Sequence, residues 1–195
     1  RTIDNGCGDM PVEADGVISV SSVGPSKLKA DYSNWGQNDV DVAAPGGWYR
    51  DGFGTDAFKT APNLILSSVP KAVAIAELRD LDAYDEVTGE SSDPFTVSDC
   101  PRGKDSCAYY DYYQGTSMAS PHAAGVAALI VGRYGWRDWS GGRQLDPRLV
   151  TSALLASAEP NACPPAGFTY PERDSAVYHP DSCVGSPRDN SWYGT

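Results

Sequence analysis

Apolar positions along the chain follow two different periods. Gly16-Val-Ile-Ser-Val-Ser-Ser-Val23 is β-branched, almost continuously small or apolar, and opened by glycine. That predicts a strand covered on both faces. Val40-Asp-Val-Ala-Ala-Pro45 predicts a second strand, halted by Pro45-Gly46-Gly47, and Asn63-Leu-Ile-Leu-Ser-Ser68 a third. Asp31-Tyr-Ser-Asn-Trp-Gly36 is turn chemistry. Ala72 to Leu81 fits a short helix or an apolar strand, and the pattern does not choose between them. Asp82 to Cys107 is acidic and turn-rich with no period, so 71–107 reads as a surface insertion.

The helical period is clearest from Ser117 to Tyr134, where Ala119, Ala123, Val126, Ala127 and Ile130 recur at three- and four-residue steps. Pro121 lacks only the N–H that would reach back to Ser117, and first-turn donors have no helical acceptor anyway. The helix must therefore start at or just before Ser117, and Gly132 and Gly135 supply its stop. Asp146-Pro147 pairs a cap with proline at the first helical position, Leu149, Ala153, Leu154 and Ala158 form one apolar face, and Pro160 ends it. Beyond Asn161 only loops are expected, making 159–195 a loop region. Strands mixed with helices predict an α/β layer fold.

At 195 residues the chain can bury one core, and two are not expected. Fifteen basic against 26 acidic residues give a formal charge of −11. That excludes a nucleic-acid binder working by phosphate neutralisation and argues against an anionic membrane surface. Ala123 to Val131, the longest apolar run, has nine residues, against the roughly 20 needed to span a bilayer. Cys100 and Cys107 bracket one polar loop, and Cys163 and Cys183 a longer Pro-rich one. A bridge across each would restrain it, which predicts an oxidising, extracellular compartment. Cys7 is left over, as a buried free thiol or as half of a bridge to a residue outside this sequence. With no initiator Met or signal peptide, and an abrupt stop at Thr195, the chain is expected to be a processed product or a fragment.

The chemistry concentrates in Gly115-Thr-Ser-Met-Ala-Ser-Pro-His122. Gly115 permits a tight turn, and Ser117 follows it at the opening of an Ala-rich helix expected to be buried. A helix N-terminus offers unpaired N–H groups and partial positive charge. A hydroxyl there has its own amide available to a developing oxyanion, the layout of a serine nucleophile. These eight residues resemble the nucleophile motif of the subtilisin-like serine proteases, the subtilases. Ala30-Asp-Tyr-Ser-Asn-Trp-Gly36, Val40-Asp-Val-Ala-Ala-Pro-Gly46 and Gly16-Val-Ile-Ser-Val20 resemble the strands and turn upstream of that serine. The resemblance covers about 1–66 and 109–158, loosely Cys183 to Gly194, and not 71–107.

The resemblance implies the C-terminal portion of a parallel-sheet, three-layer α/β subtilisin-like fold, and a secreted endopeptidase that acts on protein or peptide substrates through an acyl-enzyme on Ser117. It also implies a triad in the order Asp, His, Ser. Neither the Asp nor the His motif stands in this sequence, nor the strand that presents the family's oxyanion Asn; Asn5 lacks its setting. His122 lies five helical residues beyond Ser117, roughly 140° around the axis and about 7.5 Å along it, and reads as a packed helix histidine. His179 reads as a loop residue. The isolated chain is therefore expected to be inactive until its partner, the missing N-terminal half, supplies the base. A catalytically dead subtilase-like module that binds peptides or protein partners shares every residue seen, and the sequence does not separate the two.

By the same resemblance Thr116, beside the nucleophile, is a substrate-binding residue. Met10-Pro11 matches a cis-Pro turn. Asp9 matches the floor of the pocket for the side chain preceding the cut, where a carboxylate would favour Lys or Arg; otherwise it is an exposed loop residue. Asp39 and Asp41, with the carbonyls of Val12, Ala14 and Val17, match a site for a structural Ca2+ or Na+; otherwise they are solvated or hydrogen-bonded carboxylates. Catalysis is expected to need no cofactor. The acidic cluster Asp80, Asp82, Asp85 and Glu86 reads as solvated surface.

Overall fold

A computed structural model describes residues 12, 14–170 and 182–194. Asn5, Cys7, Asp9, Met10-Pro11 and His179 lie outside the described residues. In chain order the elements are β1 (Val20–Val23), β2 (Val42–Pro45), β3 (Ile65–Val69), α1 (Lys71–Asp80), β4 (Thr96–Asp99), β5 (Ala108–Tyr113), α2 (Thr116–Tyr134), β6 (Trp136–Arg137), β7 (Arg143–Gln144), α3 (Pro147–Ser157), β8 (Gly185–Ser186) and β9 (Asp189–Asn190). Strands and helices mix as the α/β reading expects.

β1 and β2 pair in parallel, from Val20 opposite Val42 to Val23 opposite Pro45. α2 packs across both, with α3 against its flank. α3 opens as its sequence demands: the Asp146 carboxylate accepts from the Arg148 N–H at 2.8 Å, and Pro147 needs no acceptor. On β1, Ser21 Oγ donates to Trp192 O at 2.7 Å, tying the C-terminal segment to the strand. That segment builds an aromatic core of Trp48, Tyr170, Trp192 and Tyr193 around Ala30. Trp192 stacks on Tyr170 at 5.9 Å and meets Phe168 edge-on at 6.0 Å. Lys29 is fully buried beside them. Its ammonium donates to Ala30 O at 3.1 Å and Ser33 O at 2.8 Å and lies 5.3 Å from the centre of the Trp192 ring. Carbonyls and ring faces offset the desolvation of this charge.

The larger sheet is antiparallel, in the order β3-β5-β4. β5 is not expected from the sequence pattern, although burial alternates along Ala108–Tyr113 up to its last residues. In 71–107 the undecided Ala72–Leu81 pattern resolves as α1, and β4 adds the sheet's edge. α1 turns Ala74 and Leu78 onto Tyr109 and Cys107, a small second core. Tyr109 donates to Gly89 O at 2.7 Å. Burial, together with neighbouring Tyr84, pushes its phenol up to about 12.

The region after Asn161 is not loops alone: β8 and β9 form a short hairpin. Two-residue strands carry too little alternation to register in a sequence. Asn190 supplies the order, its Nδ2 donating to Asn161 O at 2.9 Å and Ser186 O at 3.0 Å. Both expected bridges are present, Cys100–Cys107 and Cys163–Cys183. Closing a loop of seven residues' separation constrains the unfolded chain by about 2.5 kcal/mol in the chain-entropy account. Replacing both Cys100 and Cys107 by Ser is expected to lower the urea-unfolding free energy by that order, with the loss read from the transition midpoint at constant slope.

Candidate active site

The site is built where three segments converge, the ends of β1 and β2 and the turn that joins β5 to α2. Gly115 occupies that turn with φ +155° and ψ 162°, a conformation that favours glycine. Its N–H donates to Gly46 O at 2.9 Å, and its carbonyl accepts from Met118 N at 3.0 Å and Ala119 N at 3.2 Å. The N–H groups of Thr116 and Ser117 are thereby left without a backbone acceptor among the described residues. Gly46 is equally constrained by proximity: a Cβ there would fall 2.0 Å from Ser22 Oγ and 2.5 Å from Gly115 O. The Pro45-Gly46-Gly47 run, read in the sequence only as a strand stop, is thus a packing surface for the turn.

α2 starts at Thr116, so Ser117 stands in its first turn, exposed to solvent, with Ala119 buried beneath it and Thr116 half-buried beside it. The Ser117 hydroxyl makes no hydrogen bond among the described residues, and the helix's positive end is open at that point. His122 is not near enough in direction to serve it. Its Nδ1 contacts Met118 O at 2.8 Å, one turn back, and its ring faces a cavity of about 560 Å3 between α2, α3 and β2. The buried Ala-rich helix expected from the sequence is only partly realised. Ala119 alone is buried, and Val126 and Leu129 are 43% and 73% exposed. The helix has one face on β1 and β2, and the other meets no described residue that would cover it.

Asp41 is hydrogen-bonded: its Oδ2 accepts from Ser19 N at 2.7 Å and from Ser19 Oγ at 3.1 Å. Asp39 folds against Gly36, where a Cβ would lie 2.1 Å from its Oδ2. The Ala14 carbonyl accepts from Val17 N at 3.1 Å. No three His, Cys, Asp or Glu side chains converge on a common point among the described residues. Ser22 and Tyr32, to which the sequence assigns only a strand and a turn, stand directly behind the turn before α2. Ser22 Oγ lies 2.7 Å from Tyr32 OH, which donates to Gly46 O at 3.1 Å and also meets Gly47 O.

A family model described as "Subtilase family" matches residues 5–186. The chain belongs to the subtilase family. This subtilase is 25% identical over 132 residues to the epidermin leader peptide-processing serine protease EpiP of Staphylococcus epidermidis, an alignment covering 67% of this chain and 22% of that protein. It is 30% identical over 126 residues to an extracellular protease of Xanthomonas campestris pv. campestris, covering 65% of this chain and 14% of that one. The crystal structure of a lanthipeptide protease superposes with a TM-score of 0.51 at 25% identity, over 77% of this chain and 37% of that chain. The chain therefore spans about a fifth or less of these curated relatives' lengths. The fold is accordingly that of part of a subtilisin-like domain, with its parallel element in β1 and β2.

Proposed function

We propose that this chain is the C-terminal part of a secreted subtilase catalytic domain, an endopeptidase in which Ser117 is the nucleophile and the catalytic Asp and His come from polypeptide outside this sequence. The observation that carries the reading is the exposed Ser117 hydroxyl at the open N-terminus of α2, next to an amide with no backbone acceptor. With a histidine in reach, Ser117 Oγ would attack the scissile carbonyl while that base takes its proton. The Ser117 N–H would meet the oxygen as it gains negative charge. Collapse of the adduct would expel the amine and leave an acyl-serine for water to cleave. Thr116 lies beside this position and fits a substrate contact; Asp9 remains the proposed selector for Lys or Arg.

The uncovered face of α2 supports a partner that completes the layer, and the missing N-terminal half is the occupant that also supplies the base. Alone, the chain holds an unactivated hydroxyl, a poor nucleophile at neutral pH, and is inactive. The two disulfides, and the extracellular protease among its relatives, support secretion. A Ca2+ or Na+ at Asp39 and Asp41 would compete with the Ser19 bonds to Asp41. Its role would be structural, since no step of the reaction calls on it.

The test is to produce this chain with the preceding part of its gene and treat the assembly with a fluorophosphonate probe. Modification at Ser117, together with peptide hydrolysis that the isolated chain lacks, is the expected result. A folded assembly that binds peptides and leaves the probe untouched would replace the enzyme by a non-catalytic binding module.

A further inference from the structure

We propose that Tyr32 is a positioning residue for the Ser117 turn, its phenol locking the end of β2 against Gly115 so that the hydroxyl and amide of Ser117 stand in a fixed place. This rests on Ser117 being the nucleophile. Four segments meet at the phenol: Ser22 from β1, Tyr32 from the turn before β2, Gly46 and Gly47 from the end of β2, and Gly115 ahead of α2. Tyr32 OH lies 2.7 Å from Ser22 Oγ and donates toward the carbonyls of Gly46 and Gly47. The same Gly46 carbonyl accepts the Gly115 N–H at 2.9 Å. One oxygen thus carries both the tyrosine's bond and the bond that holds the turn.

The cluster has no slack. Ser22 is fully buried, and its own N–H is held by Ser33 Oγ at 2.9 Å. The clearance at Gly46 is too small even for a methyl group. Ser22 Oγ and the Gly46 and Gly47 carbonyls all reach the phenol, so its loss takes one partner from each of three polar groups. Burial foremost raises the Tyr32 pKa, with the Ser22 and Gly115 hydrogen bonds opposing it, so the group keeps its proton and remains a donor at neutral pH. From Gly46 the constraint passes to Gly115, whose carbonyl anchors the Met118 and Ala119 amides. A lost neutral hydrogen bond changes an equilibrium by about fivefold, whereas a misplacement of about 1 Å at the reacting atoms can cost about 100-fold in rate. The signature of Tyr32 is a loss of rate rather than of substrate binding.

The experiment uses the full-length protein, wild type and Tyr32→Phe, with the fluorophosphonate probe. The expected result is a maximal labelling rate constant lowered about tenfold or more, an unchanged half-saturating probe concentration, and faster hydrogen exchange in the peptide 114–119. Asp146→Ala removes the α3 cap, far along the chain from the turn, and serves as a destabilised control expected to label at the wild-type rate. Equal labelling by Tyr32→Phe and wild type, or equal slowing by Asp146→Ala, overturns the inference. If wild type itself is not labelled, the nucleophile reading has failed. Loosening of 114–119 in Tyr32→Phe would then still uphold the lock on the turn, and unchanged exchange would overturn that as well.

Discussion

Ser117→Ala in the full-length protein is expected to remove peptidase activity by roughly six orders of magnitude in kcat, the size of loss that the family shows when its nucleophile is deleted. The substitution deletes one exposed oxygen with no partner among the described residues, and alanine is a better helix former than serine. Stability should therefore be unchanged or slightly improved. Loss of activity with an unaltered unfolding midpoint distinguishes a reacting hydroxyl from a helix cap, whose removal costs about 1 kcal/mol. If the base comes from polypeptide outside this sequence, as proposed, the same substitution in the isolated chain should change no measured rate. Steady-state hydrolysis of a peptide substrate, alongside urea melts of both proteins, checks each part. Retained hydrolysis in Ser117→Ala would move the nucleophile elsewhere.

The largest effect on stability is expected from Trp192→Ala. Trp192 is 1% exposed and touches Tyr170, Phe168 and Tyr193 in the principal core. Truncating a buried aromatic costs about 3–5 kcal/mol, a fall in Tm of roughly 10 °C for a chain of this length. Loss of the ring also withdraws one of the two aromatic faces near the buried Lys29 ammonium, which adds to the cost. Trp192→Phe should cost much less, because most of the ring survives and the indole N–H it deletes has no hydrogen-bond partner among the described residues. Thermal melts of the two variants give the order, and equal losses would mean that the core collapses around either replacement.

The parts of the fold legible in the sequence are those with a strong local period or a hard stop. Val20–Val23, Val42–Pro45 and α2 were readable because β-branched runs, Pro-Gly-Gly and a three-to-four repeat are properties of neighbours in sequence. β5 escapes a pattern search because Ala108–Tyr113 buries Tyr109 and the charged Asp111 while Ala108 is exposed and Tyr110 and Tyr112 are half-buried, the reverse of an apolar-in, polar-out alternation. The β8–β9 hairpin depends on Asn190, whose partner Asn161 is 29 positions away, a distance that no window over neighbouring residues covers. The serine and its helix were visible from the motif alone. The support behind them was not, since Tyr32, Ser22 and Gly46 meet Gly115 only after β1 and β2 have paired. The burial of α2 was over-read for a related reason: an apolar stripe states what a helix can cover, and the cover belongs to other residues.

Because Ser117 carries both its hydroxyl and its amide, the span between attacking oxygen and charge-relieving hydrogen is written in covalent bonds and one χ1 rotation. Drift in the surrounding scaffold can tilt that pair toward or away from a peptide, but cannot pull its members apart. Evolution of such a centre would thus adjust aim through the glycines that seat the turn, while the pair itself travels as a unit.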